Sequence, residues 1–265
     1  MQVCVTTNRQ PQAGRFFFVV LMSSCRGGPS AQPVPLAGLE SYLLVPGERI
    51  MRAIIIAGGQ TEEQGWQRWV RESDWIIGAN GGAARALAWG LVPDLVIGDM
   101  DSLPETARSI LVAEGCRFIE HPRAKDETDL ELALVHAVQE GAQEIVVLGA
   151  LGGRLDHTLA NLLLLASPSL AGISVRIAEG DQQALLARSG ETVELEGAPG
   201  DLVSLVPLGG DARGVTTRGL ARVLHGDTLW FGSSRGVSNE MTSGEAGIQV
   251  GEGLLLVVHG SLPAS

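Results

Sequence analysis

Hydrophobic and polar residues follow two different patterns along the chain after residue 50. From about residue 53 to residue 178, short apolar runs alternate with longer amphipathic stretches. Runs such as Ile54, Ile55 and Ile56 are apolar throughout, which is typical of strands covered on both faces. This alternation predicts an α/β fold, with a mostly parallel sheet and flanking helices. The predicted strands are residues 53–57, 75–79, 95–98, 117–120, 144–149 and 174–178.

One predicted helix lies between the fourth and fifth strands. Its apolar positions recur at helical spacing, and Gly141 marks its end. The apolar stripe of this helix comprises Leu130, Ala133, Leu134, Ala137 and Val138.

After about residue 180 the helical period disappears, and short apolar runs separated by glycine-rich turns remain. That pattern predicts a smaller antiparallel β domain. Its predicted strands are residues 183–187, 192–195, 202–206, 228–231, 247–250 and 254–258. We therefore divide the chain into a leader (residues 1–50), an α/β domain (51–180) and a β domain (181–265).

The first fifty residues differ from the rest in composition. They hold five of the 12 prolines and two of the three cysteines, without a helical period or clear strand alternation. We expect a disordered or non-native extension here, with Met1 and Met51 as alternative starts. The apolar run 16–22 resembles the core of a signal segment, so a lipoprotein leader is an alternative. Cys116 is the only cysteine after residue 50, so we expect no disulfide framework and a cytoplasmic location.

The overall charge limits the classes of partner. Lys and Arg total 19 against 30 Asp and Glu, which gives a net charge of −11 and a pI of about 4.9. An acidic surface repels nucleic acids and anionic lipids, and an aromatic content of 4% disfavours a base-stacking platform. We therefore expect neither a nucleic-acid partner nor a membrane partner. A cationic substrate, or carboxylates that bind a divalent metal, would suit this balance.

Glycines and polar residues follow five of the predicted strands. Ligands of open α/β sheets bind outside the carboxyl ends of the strands, so these clusters would line one edge of the sheet. Each cluster also has a structural alternative, because the glycines could form tight turns and the acids could cap helices. The clusters are Ala57-Gly58-Gly59, Gly78-Ala79-Asn80-Gly81-Gly82, Gly98-Asp99-Met100-Asp101-Ser102, Lys125-Asp126-Glu127-Thr128-Asp129 and Gly149-Ala150-Leu151-Gly152-Gly153-Arg154-Leu155-Asp156-His157.

The residue types narrow the chemistry. The chain has no G-x-x-x-x-G-K-[ST] loop, which excludes a P-loop nucleoside triphosphatase, and no Cys/His set with zinc-site spacing. Clustered carboxylates without soft ligands favour Mg²⁺, which usually also binds substrate phosphates. Lys125, the only lysine, lies two residues after Arg123 and suits a polyphosphate contact. These features predict Mg²⁺-dependent phosphoryl or pyrophosphoryl transfer.

The order and spacing of the motifs resemble the thiamine pyrophosphokinase (thiamine diphosphokinase) family. The resemblance extends over roughly residues 53–259 and covers both predicted domains. The motifs that carry it are Asn80-Gly81-Gly82, Gly98-Asp99-Met100-Asp101-Ser102, Lys125-Asp126-Glu127-Thr128-Asp129, Gly152-Gly153-Arg154-Leu155-Asp156-His157, Arg218-Gly219-Leu220, Leu229-Trp230-Phe231-Gly232 and Gly236-Val237-Ser238-Asn239-Glu240.

The resemblance implies an enzyme that transfers the pyrophosphoryl group of ATP to the hydroxyethyl oxygen of thiamine, giving thiamine diphosphate and AMP. It implies an α/β catalytic domain, a thiamine-binding β-sandwich, and a homodimer with active sites between subunits. Asp99, Asp101 and Asp129 match the family's Mg²⁺ carboxylates and are expected to be catalytic. Two further aspartates, Asp126 and Asp156, are expected to be catalytic, and Asp126 is the candidate for the general base. The residues expected to bind ATP are Asn80, Gly81, Gly82, Lys125, Thr128, Gly152, Gly153 and Arg154. The residues expected to bind thiamine are Arg222, Ser238 and Asn239.

Two positions depart from the family's pattern. Asn80 stands where the family usually has Asp, so an amide replaces one carboxylate. Ala221 and Arg222 stand where an aromatic residue is common, so Arg222 could stack on the aminopyrimidine, or Trp230 could supply the ring. Two alternative functions stay open: a pyrophosphokinase of the 6-hydroxymethylpterin type, which would share the ATP half, and a catalytically silent nucleotide-binding dimer.

Overall fold

The computed structural model describes residues 51–59 and 65–261, and the backbone of four short strands among the first 23 residues. In this N-terminal unit β1 (Cys4–Asn8) pairs antiparallel with β4 (Val19–Ser23), and β2 (Pro11–Gln12) pairs antiparallel with β3 (Arg15–Phe16). The sequence pattern does not predict these four strands. Residues 24–50 lie outside the described part of the chain, so the assignment of residues 1–50 as an extension stays a prediction.

The second unit begins at residue 49 and holds the remaining elements. Its strands are β5 (Arg52–Ile56), β6 (Trp75–Ala79), β7 (Leu95–Gly98), β8 (Arg117–Glu120), β9 (Glu144–Leu148), β10 (Ser174–Glu179), β11 (Gln182–Arg188), β12 (Thr192–Glu196), β13 (Leu202–Pro207), β14 (Ala212–Arg218), β15 (His225–Leu229), β16 (Asn239–Glu240), β17 (Glu245–Gln249) and β18 (Leu254–Gly260). Its α-helices are α1 (Gly82–Ala88), α2 (Glu105–Ala113), α3 (Asp129–Gln139) and α4 (Leu155–Leu164), with 3₁₀ turns at Trp66–Trp69 and Pro168–Leu170.

Six parallel strands form the α/β half of the sheet, in the order β8-β7-β6-β5-β9-β10. Ile55, in β5, lies between Ile77 of β6 and Val147 of β9. The chain winds outward from β5 to β8 and then returns to the other side of β5 as β9, so the strand order reverses between β5 and β9. In open α/β sheets this reversal opens a crevice at the carboxyl ends of the strands.

The parallel strands are covered on both faces, as the sequence predicts. Ile54 and Ile56 pack with Ala86 of α1, whereas Ile55 lies in the cluster that contains Leu134 of α3. Successive side chains of a strand point to opposite faces, so an uninterrupted apolar run is required here. The predicted stripe on α3 is likewise confirmed, since Leu130, Ala133, Leu134 and Ala137 are buried and Val138 packs against them.

The C-terminal part is an antiparallel β-sandwich, which confirms the predicted smaller β domain. Four of its strands, β11, β18, β13 and β16, continue the main sheet beyond β10 and give a ten-stranded sheet. The other four form a separate sheet in the order β12-β17-β14-β15. Leu205 and Val257 of the first sheet share a buried core with Val215 and Ile248 of the second. The main sheet therefore runs without a break across residue 180.

Two strand predictions in this part need correction. The sequence analysis misses β14, where a register shift between Ala212 and Val215 interrupts the regular alternation of buried and exposed positions. The strand predicted at residues 228–231 ends earlier, because β15 is His225–Leu229. Trp230 and Phe231 lie beyond it and are exposed, although large apolar side chains of this kind favour a strand interior.

The helices among the described residues are short. The longest, α3, has 11 residues. None of them has the length and apolar character needed to cross a bilayer.

Candidate active site

Three carboxylates converge at the carboxyl end of the sheet, beside β6 and β7. Asp99 and Asp101 follow β7, and Asp129 is the first residue of α3. Asn80 follows β6 and Lys125 precedes α3. We call these five residues, Asn80, Asp99, Asp101, Lys125 and Asp129, the acidic centre. The sequence analysis expects all five in the site, and the structure brings them together.

The side-chain amide of Asn80 lies in the middle of the acidic centre. Its Nδ2 donates towards Asp99 Oδ1 at 2.8 Å, Asp101 Oδ1 at 3.0 Å and Asp129 Oδ2 at 2.8 Å. Its Oδ1 accepts from the backbone N–H of Ser102 at 3.3 Å. Because one nitrogen reaches all three acids, their nearest oxygens converge on a single point.

Two cations flank the carboxylates. Lys125 Nζ lies 2.6 Å from Asp129 Oδ1 and 3.8 Å from Asp99 Oδ2, and Arg123 Nη2 lies 2.7 Å from Asp101 Oδ2. The Arg123 guanidinium, with smaller contributions from Ser102 and Asn80, holds the pKa of Asp101 well below its usual range. The sequence analysis places Arg123 beside Lys125 but does not include it in the expected site.

The backbone at the acidic centre is bent into left-handed conformations. Asn80 has φ of 48° and Met100 has φ of 60°, a region that Asn adopts more readily than most residues. The turn at Met100 is closed by the backbone N–H of Asp101, which donates to Asp99 Oδ1 at 3.1 Å. This turn lets two carboxylates only two residues apart face the same amide.

A cleft of about 520 Å³ opens beside the acidic centre, where the strand order reverses. The loops after β5 and β9 form one end of it, and Gly59 N–H donates to the Gly149 carbonyl at 2.8 Å across this junction. A Cβ at Gly59 would lie 2.6 Å from two carbonyl oxygens, so only glycine allows this approach. The lining residues are Ala57, Gly58, Gly59, Ala79, Asn80, Gly81, Ser102, Thr128, Asp129, Leu130, Ala150, Gly152, Gly153, Arg154, His157 and Asn161.

Helix α4 supplies another wall of the cleft. Asn161 is buried there, and its Nδ2 donates to the Ala150 carbonyl at 2.6 Å. The sequence analysis misses Asn161, although a polar residue within a leucine-rich helix is a recognisable signal of a buried polar contact. His157, for which the sequence supports no role, also lines the cleft.

The donor chemistry of the acidic centre fits Mg²⁺, which prefers carboxylate oxygens. Among residues 51–59 and 65–261, however, no group of three His, Cys, Asp or Glu side chains already has the geometry of a metal site. The amide nitrogen of Asn80 lies at the point where the three carboxylates converge.

Two family models match the chain. The model described as "Thiamin pyrophosphokinase, catalytic domain" matches residues 66–177, and the model described as "Thiamin pyrophosphokinase, vitamin B1 binding domain" matches residues 191–255. The chain belongs to the thiamine pyrophosphokinase family. The acidic centre lies in the α/β half covered by the first model, and the second model covers most of the β-sandwich.

Individual thiamine pyrophosphokinases are similar to the chain over long stretches. The enzyme of Bacillus subtilis is 27% identical over 183 residues, which cover 69% of this chain and 86% of that protein. Thiamine pyrophosphokinase 1 of Oryza sativa subsp. japonica is 28% identical over 156 residues, which cover 56% of this chain and 58% of the rice protein.

Solved structures of the family share the architecture. The crystal structure of the Bacillus subtilis thiamine pyrophosphokinase matches with a TM-score of 0.71 at 25% identity, covering 80% of this chain and 100% of that chain. The yeast thiamin pyrophosphokinase matches with a TM-score of 0.68 at 16% identity, covering 82% and 88%. The second likeness shows the fold alone. These matches confirm the predicted α/β fold followed by an antiparallel β domain.

The remaining ATP and acid positions carried over from the thiamine pyrophosphokinase family fall into two groups. Gly81, Thr128, Gly152, Gly153 and Arg154 line the cleft, and the Thr128 hydroxyl also accepts from Glu131 N–H as the N-cap of α3.

Gly82, Asp126 and Asp156 are not among the residues that line the cleft. Gly82 begins α1 and packs against the Ile56 carbonyl. Asp126 is exposed, and its carboxylate makes no hydrogen bond or ion pair with the described residues. Asp156 is held to Arg154, with Nη2 to Oδ2 at 2.5 Å, and this guanidinium lowers the pKa of Asp156.

The residues expected on the thiamine side form a cluster of their own in the β-sandwich. Asn239 is buried, its Nδ2 donates to the Arg222 carbonyl at 2.7 Å, and its Oδ1 accepts from Arg222 N–H at 2.9 Å. The Arg222 guanidinium donates to the carbonyls of Val237 and Ser238 at 2.9 and 2.5 Å. Ser238 has φ of 57°. None of the three expected residues is among those that line the cleft of this one chain.

Proposed function

We propose that the cleft beside the acidic centre is where this chain forms thiamine diphosphate from ATP and thiamine. Family membership supports the activity, since both the catalytic and the vitamin B1 binding models of thiamine pyrophosphokinase match. The location of the proposed active site is inferred from one observation: Asp99, Asp101 and Asp129 converge on one point, near the place where the strand order of the sheet reverses.

The cleft suits the polyphosphate of ATP. Its glycine-rich loops bring backbone close to the cavity, which leaves room for phosphate oxygens near main-chain N–H groups. Gly81, Gly152 and Gly153 would bind the nucleotide in this way, and Thr128 and Arg154 offer side-chain donors. Lys125 and Arg123 would contribute positive charge where the phosphates meet the acids.

Asp99, Asp101 and Asp129 would hold Mg²⁺. When bound, the ion neutralises negative charge on the polyphosphate. The acids have the hard oxygen donors that this cation prefers. Lys125, at 2.6 Å from Asp129, keeps one of these carboxylates oriented.

The reaction forms one bond and breaks one. The hydroxyl oxygen of thiamine attacks the β-phosphorus of ATP, and the bond from that phosphorus to the α–β bridging oxygen breaks, so AMP leaves. The hydroxyl proton passes to a carboxylate, for which Asp126 is our candidate, since it follows Lys125 in the chain, is exposed and makes no hydrogen bond or ion pair with the described residues. Asp156 would act by orienting Arg154. Positioning and charge supply most of the rate.

The active unit is a homodimer in our proposal, with thiamine bound between subunits. Leu155, Leu159 and Leu163 recur every four residues along α4 and are 73%, 53% and 55% exposed, which leaves an apolar stripe beside the cleft. Trp230 and Phe231 are also exposed on the sandwich. A second subunit would cover such surfaces, and it would bring its Arg222, Ser238 and Asn239 cluster towards the cleft.

We also propose a cytoplasmic location. Cys116 is a free thiol, as expected for a protein of a reducing compartment.

Product analysis tests the proposed function. Purified protein is incubated with ATP, Mg²⁺ and thiamine, and the nucleotides and thiamine esters are separated by chromatography. We expect AMP and thiamine diphosphate in equal amounts. ADP with thiamine monophosphate would contradict pyrophosphoryl transfer, and product from 6-hydroxymethylpterin but not from thiamine would contradict the substrate.

A further inference from the structure

The side-chain amide of Asn80 holds the three carboxylates of the acidic centre together, as a cation would, although the amide carries no charge. Asn80 is 5% exposed, and its Nδ2 faces three carboxylate oxygens at 2.8–3.0 Å. An NH₂ group has only two hydrogens, so three acceptors exceed what it can fully satisfy. The orientation is fixed, because the oxygen end of the same amide accepts from Ser102 N–H.

The charges of the acidic centre do not balance. Three carboxylates face two cations, Lys125 and Arg123, and the neutral amide adds nothing to that sum. The charge of Asp99 is the least compensated of the three, because its Oδ2 lies 3.8 Å from Lys125 Nζ, farther than the other two carboxylates lie from their cations. Without the amide, three like charges would lie close together with only Lys125 and Arg123 to compensate them.

The amide and a metal ion cannot both hold the three acids. Mg²⁺ binds oxygens at about 2.1 Å, whereas the carboxylate oxygens now lie 2.8–3.0 Å from a nitrogen at their centre. An ion at that centre would coincide with Nδ2. Binding of the ion therefore requires that the amide leave its three acceptors.

We propose that Asn80 is a positioning residue that gathers Asp99, Asp101 and Asp129 in the metal-free protein and is displaced from them when the divalent cation binds. This inference rests on the proposed function, which places Mg²⁺ at these acids. It assigns Asn80 two effects: the amide stabilises the metal-free acidic centre, and the cation binds more weakly because it must displace the amide.

Removal of the amide separates this role from that of a metal ligand. Asn80→Gly deletes the side chain and keeps a residue that tolerates φ of 48°. Mn²⁺ binding is measured by calorimetry without ATP or thiamine, and unfolding temperatures are measured in EDTA and in saturating Mn²⁺. For this variant we expect a dissociation constant for Mn²⁺ about tenfold lower than that of the unchanged protein. Its unfolding temperature in EDTA should be lower, and Mn²⁺ should raise that temperature by more than in the unchanged protein.

Asn161→Ala is the matched control, since Asn161 is a buried amide of the same cleft that donates to a carbonyl instead of a carboxylate. It should lower the unfolding temperature equally with and without Mn²⁺ and leave the dissociation constant unchanged. Weaker Mn²⁺ binding by Asn80→Gly would make Asn80 a ligand and overturn the inference, and an unchanged constant would also overturn it.

A measurement on the unchanged protein covers the case in which Asn80→Gly does not fold. In a titration with Mg²⁺ alone, the side-chain amide resonances of Asn80 should move as their carboxylate partners are lost, while those of Asn161 stay in place. Resonances of Asn80 that stay fixed at saturation would overturn the inference and leave the proposed metal site intact. If no divalent cation binds at all, the proposed metal site fails as well.

Discussion

The pKa values of two side chains in the α/β half, Asp101 and Cys116, are shifted in opposite directions by their surroundings. Arg123 keeps the pKa of Asp101 below that of an unfolded Asp, which is about 3.9. The pairing therefore stabilises the fold above about pH 4, and this contribution is lost as the pH falls towards the lowered pKa. Burial, with the charge of Asp94 adding to it, raises the pKa of the Cys116 thiol to about 11.

The Cys116 thiol should accordingly be unreactive at mildly alkaline pH. At pH 8 the thiolate fraction of Cys116, with a pKa of about 11, is about 100-fold lower than that of an ordinary thiol with a pKa of 9.0. Alkylation with iodoacetamide, followed by peptide mass spectrometry, should therefore modify Cys116 about 100-fold more slowly than glutathione in the same tube. Labelling at the glutathione rate in the folded protein would contradict this assignment.

At this scale the sequence indicates which residues meet but not how each is used. Asp99, Asp101 and Asp129 could be predicted as partners because each follows a strand or begins a helix at the same edge of the sheet. The place of the Asn80 amide between them could not, because it depends on a side-chain direction set by φ of 48°. Asp126 shares the motif with Lys125, yet its carboxylate makes no hydrogen bond or ion pair with the described residues.

At the scale of elements, the position of the cleft depends on how closely α1 packs on β5. Gly82 begins α1, and a Cβ there would lie 1.9 Å from the carbonyl oxygen of Ile56. No side chain fits in that space. The helix must lie against the strand for Asn80 and Gly81 to reach the cleft.

Gly82→Ala should therefore destabilise the protein strongly. The added methyl must push α1 away from β5, at a cost of about 3 kcal/mol, as for severe overpacking. Urea denaturation followed by circular dichroism measures the loss. Gly210→Ala is the control, because a Cβ at Gly210 meets nothing within 4 Å, and it should change stability by less than about 0.5 kcal/mol. Equal effects of the two substitutions would contradict the close packing.

The pattern of apolar residues predicts elements well where both faces are buried and poorly where one face is exposed. β5, β7 and β9 are continuous apolar runs and were recognisable as strands. In the sandwich, β14 escapes recognition because its register shift breaks the alternation that a one-sided strand should show. β11 joins the main sheet by a hairpin with β10, across residues 180 and 181. The pairing of β11 with β18 could not be predicted, because these two strands are distant in the chain.

At the scale of the whole molecule, the described surface includes several exposed large apolar side chains, and three of them lie on the single helix α4. The stripe of Leu155, Leu159 and Leu163 on α4 is continuous, unlike scattered exposed apolar residues, which are normal. Our homodimer proposal gives this stripe a partner.

Charge on the α4 stripe should break the dimer. The double substitution Leu159→Glu and Leu163→Glu would place two carboxylates in an apolar contact, which is costly without partners. Light scattering coupled to gel filtration should give twice the chain mass of 27.8 kDa for the unchanged protein and a single chain mass for the variant. Val112→Glu, at an exposed position of α2, is the control and should remain dimeric. A monomeric unchanged protein, or a dimeric double variant, would contradict the interface.

The decisive measurement is the rate of thiamine diphosphate formation by Asp101→Asn. This substitution keeps the size of the side chain and removes one of the three converging charges, so we expect turnover to fall by about 100-fold or more while the circular dichroism spectrum is unchanged. Glu194→Gln neutralises an acid that also pairs with an arginine, Arg218, but lies in the sandwich, and it should retain the rate of the unchanged protein. Near-normal turnover by Asp101→Asn would contradict the assignment of the active site to the acidic centre.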